Sequence, residues 1–235
     1  YACATWAPDG SMIAANTATL LHLVDPVTGT VREFSPCKPV GGVFAWSPDS
    51  STVAWCHVDL DIVLTNVLGS PFKIVTLDVR TGQRQELTPA RNGLGRPAWS
   101  PDGKRLAFTG YEGEDPMKGK PTLEIVDLAT RKSVIYNDPV ALTAQGNPTV
   151  SWSPDGRLVH YVRHDLKGRA WLVDAATGAK TEFKDLNWLS TFLPGGEWIL
   201  SGVDGDIVLQ HRDGKRRVAL TETADQDFQA RLLSR

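Results

Sequence analysis

The pentapeptide Trp-Ser-Pro-Asp-Gly at residues 99–103 recurs unchanged at residues 152–156. Near copies stand at 46–50 (WSPDS) and 6–10 (WAPDG), and a worn one at 192–196 (FLPGG). The intervals between their first residues are 40, 53, 53 and 40. A catalytic motif is needed once; a motif reissued at near-regular spacing dictates architecture. A second motif follows each copy: VDPVTG ending at Gly29, LDVRTG at Gly82, VDLATR at Arg131 and VDAATG at Gly178. In the fifth repeat it is reduced to LQHRDG, ending at Gly214, with Gln210 where the siblings carry the hairpin Asp.

Each repeat divides into four short strands. In the third, alternating apolar residues predict strands near 96–99, 105–109, 123–128 and 133–136. Between them, Pro presets φ at the second turn position and Gly supplies the positive φ that closes the turn. Asp9, Asp49, Asp102 and Asp155 are expected to accept hydrogen bonds from their own turns. A small residue precedes each aromatic: Thr5, Ala45, Ala98, Ser151 and Thr191. Small side chains suit inner strands crowded at an axis. Trp6, Trp46, Trp99 and Trp152 then act as wedges between adjacent sheets, burying on the order of 200 Å² each. Four-stranded sheets repeated radially make an all-β fold, a β-propeller of antiparallel blades with five visible repeats. The repeats cover about 1–40, 41–90, 91–142, 143–185 and 186–221 of a single propeller domain, and 222–235 is a candidate closing strand.

Repeats of this form, WSPDG, an apolar strand and a VDxxTG hairpin, resemble the TolB-like propeller family. The resemblance covers residues 1 to about 221. Similar repeats occur in the propeller domains of prolyl-oligopeptidase-type peptidases, some polysaccharide lyases and bacterial sensor proteins. It implies fold more than function, because the shared residues are turn and wedge residues. The family resembles six-bladed rings, so a five- or six-bladed ring is expected here, with closure open. Two departures stand out. Arg131 replaces a hairpin Gly, and the fifth repeat lacks the Trp, the turn Asp and the hairpin Asp, which predicts looser packing there. A periplasmic or extracellular location is the expectation.

The net charge of −2 gives no general bias toward nucleic acid or anionic membranes, and no apolar run approaches the roughly 20 residues that span a bilayer. A hydrophobic share of 41% with 22% charged residues reads as globular. The start at Tyr1 suggests processing or a cut from something longer. Cys3, Cys37 and Cys56 fit no zinc or redox spacing; Cys3 and Cys37 pair only if the chain is secreted. No nucleophile elbow, Walker loop, HExxH or dinucleotide fingerprint is present. The basic run Lys215, Arg216, Arg217 lacks interleaved aromatics and reads as a solvated hairpin.

Single-copy residues on a repeated scaffold carry the functional information. Aligning the second strands brings Ala14, Ala54, Ala107, His160 and Leu200 to one position, so His160 stands where four siblings are apolar. It is either a channel ligand or a core histidine with a hydrogen-bond partner. His57, Asp59 and Asp61 alternate along a strand and share a face, a donor set suited to Ca²⁺ or Mn²⁺, with a fraying strand end as the bland alternative. After the second strands of repeats two to five come acidic residues: Asp59 and Asp61; Glu112, Glu114 and Asp115; Asp165; Asp204 and Asp206. Equivalent positions predict an acidic collar on one face, in the loops that also carry insertions at 59–71 and 111–121.

Taken together, these residues favour a non-catalytic scaffold that binds a protein or peptide partner through the loops of one face. A metal-dependent polysaccharide lyase or hydrolase using the central channel is the alternative, as is a propeller segment gating a peptidase or sensor domain.

Overall fold

The computed structural model describes residues 4–17, 19–35, 44–58, 71–89, 91–92, 95–112, 120–137, 150–162, 170–183, 190–203 and 206–221. They form five antiparallel meanders. Sheet I comprises β1 (Ala4–Trp6), β2 (Ile13–Asn16), β3 (Leu21–Val24) and β4 (Val31–Phe34). Sheet II comprises β5 (Ala45–Trp46), β6 (Thr52–Val58), β7 (Pro71–Asp78) and β8 (Arg84–Glu86), with β9 (Arg91–Asn92) added against β7. Sheet III comprises β10 (Ala98–Trp99), β11 (Arg105–Glu112), β12 (Lys120–Asp127) and β13 (Ser133–Asn137). Sheet IV comprises β14 (Val150–Trp152), β15 (Leu158–Val162), β16 (Ala170–Asp174) and β17 (Lys180–Phe183). Sheet V comprises β18 (Thr191–Phe192), β19 (Trp198–Val203), β20 (Asp206–His211) and β21 (Arg217–Ala219). The four strands expected per repeat are all present. In the third repeat the second and third run longer than the pattern suggested, and β9 was not anticipated.

The motif turn is a small hydrogen-bonded box. In three copies the Ser hydroxyl donates to the Asp carboxylate: Ser47 to Asp49 at 2.6 Å, Ser100 to Asp102 at 2.5 Å and Ser153 to Asp155 at 2.5 Å. The same Ser oxygen accepts the N–H of the residue that opens the second strand: Thr52, Arg105 or Leu158. Each Asp also accepts an amide two residues on, from Ser51, Lys104 and Arg157, and Asp9 does so from Ser11. These bonds hold the Asp102 carboxyl below its ordinary range, the Ser100 hydroxyl contributing most. The last position needs φ near +70°, met by Gly103 at 69° and by Ser50 at 59°.

Register confirms the second-strand alignment: Thr5 faces Ala14, Ala45 faces Ala54, Ala98 faces Ala107, Ser151 faces His160 and Thr191 faces Leu200.

The chain divides into two compact units, Tyr1–Ala141 and Leu142–Arg235. In the first, strand alternation sends the two faces of β6 into different layers. Val53 and Trp55 pack with Ala14, Leu21 and Leu23 of sheet I, while Ala54, Cys56 and Val58 pack with Leu106 and Phe108 of sheet III. Burial in this second layer pushes the Cys56 thiol up to about 12, so it stays protonated. Trp46 donates its indole N–H to the Thr5 carbonyl at 3.1 Å, and Trp99 donates to the Ala45 carbonyl at 2.9 Å. Each Trp is thus anchored on the small residue one repeat earlier. Trp6 differs: it is 59% exposed.

In the second unit, Leu172 and Phe183 pack with Ile199, with Leu158 and Phe192 against them. Trp152 is 8% exposed. The worn fifth turn keeps its geometry through Gly196, whose N–H donates to the Leu193 carbonyl at φ +71°.

The fifth hairpin corrects the sequence alignment. In sheet IV, Asp174 pairs with Leu158 and Gly178 N–H closes on the Asp174 carbonyl. In sheet V the corresponding pair is His211 with Trp198, and Gly214 N–H closes on the His211 carbonyl. His211, not Gln210, occupies the hairpin Asp position, and the turn is one residue shorter.

Candidate functional site

Two of the hairpins between second and third strands outgrow the rest. β6 and β11 have 7 and 8 residues, against 4 for β2, 5 for β15 and 6 for β19. The β6–β7 ladder runs from Thr52/Asp78 to Val58/Phe72, and the β11–β12 ladder from Arg105/Asp127 to Glu112/Lys120. Counted from the matched positions Ala14, Ala54 and Ala107, β6 runs two residues and β11 three residues past the end of β2, roughly 7 and 10 Å at about 3.4 Å per residue. Both belong to the first unit, and in each the inserted residues follow the end of the second strand. β9 reinforces this end by pairing Arg91 with Phe72 and Asn92 with Pro71.

Most of the expected acidic collar belongs to these loops. Asp59, Asp61, Glu114, Asp115, Asp165 and Asp204 lie outside the described residues. Glu112 closes β11 opposite Lys120. Asp206 opens β20 opposite Val203, is partly buried and accepts the Thr221 hydroxyl at 3.2 Å.

His57 and His160 are interior residues. His57 is 4% exposed, and its Nδ1 accepts the Trp55 indole N–H at 3.4 Å. It shares the Val53–Trp55 face of β6 and lies across from Lys73, whose ammonium pairs with Glu86 at 2.9 Å. His160 is 1% exposed and sits edge-on to Phe192 with centroids 6.3 Å apart. Burial pushes its imidazole down to about 4, so it is neutral at pH 7. Among the described residues its Nε2 has no hydrogen-bond partner, and neither has the hydroxyl of Ser151 across the strand pair. Among the described residues no group of three His, Cys, Asp or Glu side chains could hold a metal ion.

The second unit contains a polar cluster that the sequence reading took for a plain hairpin. A cleft of about 460 Å³ is lined by Arg157, Asp174, Glu197, His211, Arg212 and Asp213, over a floor that includes Leu158 and Leu172. Arg212 joins Asp155 at 2.9 Å and Glu197 at 2.6 Å, tying sheet V to sheet IV. His211 lies edge-on to Trp198, and Arg216 stacks over the same indole. Each imidazole nitrogen meets one donor and one acceptor. Nδ1 has the Asp213 N–H and carboxylate, and Nε2 has the Arg216 guanidinium and the Glu197 carboxylate. The Lys215 N–H does most to hold the Asp213 carboxyl down at about 2, with His211 adding to it. Carboxylates and cations are matched within the cluster, so it clamps the hairpin and leaves no uncommitted base. The signal was in "HRDGKRR": read from the hairpin's first residue, His211 falls in line with the four aspartates.

No protein-family model matches the chain. Dipeptidyl-peptidase 5 of Porphyromonas gingivalis is 24% identical over 148 residues, which are 61% of this chain and 21% of that protein. TolB from Acinetobacter baumannii superimposes with a TM-score of 0.57 at 19% identity, over 95% of this chain and 53% of the other. An oligogalacturonate lyase in complex with manganese superimposes with a TM-score of 0.66 at 13% identity, over 96% of this chain and 66% of the other. The chain therefore spans about a fifth of the curated relative, half of that TolB and just under two thirds of the lyase.

Proposed function

We propose that this chain, which has the TolB-like β-propeller fold, is a non-catalytic scaffold that binds a protein or peptide partner through the loops of one face. The fold is shared with a lyase, and 148 residues are similar in sequence to part of a peptidase, so fold alone does not decide between binding and catalysis. The observation that carries the reading is how the described acid–base groups are used. His22, His57, His160 and His211 are each 9% exposed or less. The motif carboxylates accept bonds from their own turns. Against this committed interior, the two extended strand pairs of the first unit lead into the inserted residues, and loops on a rigid frame are where recognition usually resides. The acidic residues in those loops suit a basic segment on the partner. A periplasmic or extracellular location is part of the proposal, tested by cell fractionation. Among the described residues no helix is long and apolar enough to cross a membrane.

The test is site-specific photo-crosslinking in the native cell. A crosslinker at residue 65 or 116 should capture a discrete protein adduct. One at Val27, 91% exposed in the hairpin at the far end of sheet I, should not. Adducts formed equally from Val27, or from none of the three positions, would refute the proposal. Stoichiometric Mn²⁺ binding with turnover of a polyuronide would replace it with the lyase reading.

A further inference from the structure

We propose that β13, the outer edge of sheet III, is the surface through which two copies of this chain associate, pairing antiparallel about a two-fold axis at Ile135. The open side of an outermost strand offers a row of backbone donors and acceptors, and proteins blunt such edges with short strands and charged side chains. Four of the five sheets here do so. β4 carries Arg32 and Glu33, β8 Arg84 and Glu86, and β17 Lys180 and Glu182. β21 exposes Val218 but is 3 residues long and opens on Arg217. β13 uses neither device. At 5 residues it is the longest of these outer strands, and its sequence, Ser-Val-Ile-Tyr-Asn, has no charge. Val134 is 50% exposed and Ile135 44%, on opposite faces of the strand. Among the described residues β13 pairs with β12 alone.

The phase of the backbone sets what this edge can accept. The hairpin closes with the Asp127 N–H on the Lys132 carbonyl, so Lys132 turns toward β12. Alternation along the ladder then turns Val134 and Tyr136 toward β12, and directs the N–H and C=O of Ser133, Ile135 and Asn137 outward. With the two-fold axis at Ile135, that residue meets the partner's Ile135, and Ser133 meets the partner's Asn137. Both are pairs of outward-directed residues, which exchange two N–H···O bonds each. Val134 meets the partner's Tyr136, a β-branched side chain against an aromatic, a favourable cross-strand pair. The strand therefore matches its own reverse: polar residues flank an apolar middle on both sides of the axis. Antiparallel pairing also holds the basic turns, Arg131 and Lys132, at opposite ends of the joint, where a parallel pair would bring them together. This self-complementarity selects a second copy as the occupant, through an isologous contact that closes at two. An edge contact of this size belongs to the transient class below about 1,200 Å², so association is expected at high micromolar concentration. The joint uses none of the inserted loops and stands or falls separately from the partner binding proposed above.

The experiment is sedimentation of the full chain from low micromolar to millimolar concentration. The weight-average mass should climb from that of one copy toward that of two. Ile135→Pro deletes an outward N–H that the β12 ladder does not use, so the variant should keep its circular dichroism spectrum and stay monomeric throughout. Ile135→Lys and Ile135→Glu should each be monomeric alone, because like charges meet across the axis, and an equimolar mixture of the two should associate. At low concentration the Ile135 amide should exchange with solvent far faster than that of Val134. A wild-type chain that stays monomeric at every concentration would overturn the proposal, as would association that survives Ile135→Pro. A Lys and Glu mixture no more associated than its components would remove the two-fold axis at Ile135. Equal protection of the two amides in the monomer would also refute it, because the chain's own residues would then cover the edge.

Discussion

Replacing Trp99 by Phe tests whether the motif tryptophan works as a sheet-to-sheet anchor. The change deletes the indole N–H that reaches the Ala45 carbonyl at 2.9 Å. The net loss of one such bond is about 1 kcal/mol, and the stranded, partly buried carbonyl adds roughly another 1 kcal/mol. For a chain of this size, about 2 kcal/mol lowers the melting temperature by roughly 4–8 °C. Trp46→Phe breaks the equivalent bond to Thr5 at 3.1 Å and should cost a similar amount. Trp6→Phe is the internal control. Its ring is 59% exposed and its indole N–H has no acceptor among the described residues, so the change should stay within about 0.5 kcal/mol. Differential scanning calorimetry of the three variants reads the pattern directly. If Trp6→Phe destabilises as much as Trp99→Phe, the motif tryptophan stabilises its own sheet rather than the joint, and the reasoning fails.

Gly82→Ala should cost more than Gly10→Ala by chemical denaturation. Both sit at φ +74° and incur about 1–2 kcal/mol of left-handed strain, but only at Gly82 does the new Cβ fall 2.8 Å from Phe34. Arg131→Gly should raise stability by about 1 kcal/mol, because Arg131 adopts φ 57° in the hairpin position that glycine holds elsewhere. His160→Leu should flatten the pH dependence of stability. A buried imidazole lowered from 6.5 to about 4 contributes stability that is complete above pH 6.5 and declines by up to about 1.4 kcal/mol per pH unit as pH falls toward 4. An unchanged slope in urea titrations would mean that another group is responsible. Arg212→Ala should cost about 1 kcal/mol at low ionic strength and distinctly less in 1 M salt, since its pairs with Asp155 and Glu197 are partly exposed.

The turns were legible in the sequence because their chemistry is local. Pro, Asp and Gly fix a bend within five residues, and that bend sets the register that puts His160 opposite Ser151. Packing between sheets was legible only as a rule. The motif reads the same at Trp6 as at Trp99, yet Trp6 is 59% exposed whereas Trp99 is partly buried with its indole N–H on the Ala45 carbonyl. His211 was missed for a different reason. Counting back from the closing glycine fails when a hairpin shortens by one residue, and only strand register shows that the imidazole replaces an aspartate. Its Nδ1 accepts the Asp213 N–H as Asp174 accepts the N–H of Ala176. Of the candidate binding residues, the hairpins that aim them were foreshadowed by the insertions themselves. The extra length of β11 was not, because Gly110 and Glu112 break the apolar alternation before the strand ends.

The fifth repeat shows what a sheet needs once its hydrogen-bonding motif decays. Phe192 has no indole N–H to donate, Leu193 replaces the box serine and Gly195 replaces the aspartate. The turn survives on Gly196, whose left-handed backbone still packs on Pro154. The lost anchor is offset along the outer part of the sheet, where Arg212 spans Asp155 and Glu197. Directional bonds between neutral groups in the first unit thus give way to ion pairs in the second. Such pairs are individually worth little at an exposed surface. A network that also clamps His211 and Arg216 around Trp198 holds its members in place at a smaller entropic cost, which is how a degraded copy of the repeat remains a sheet.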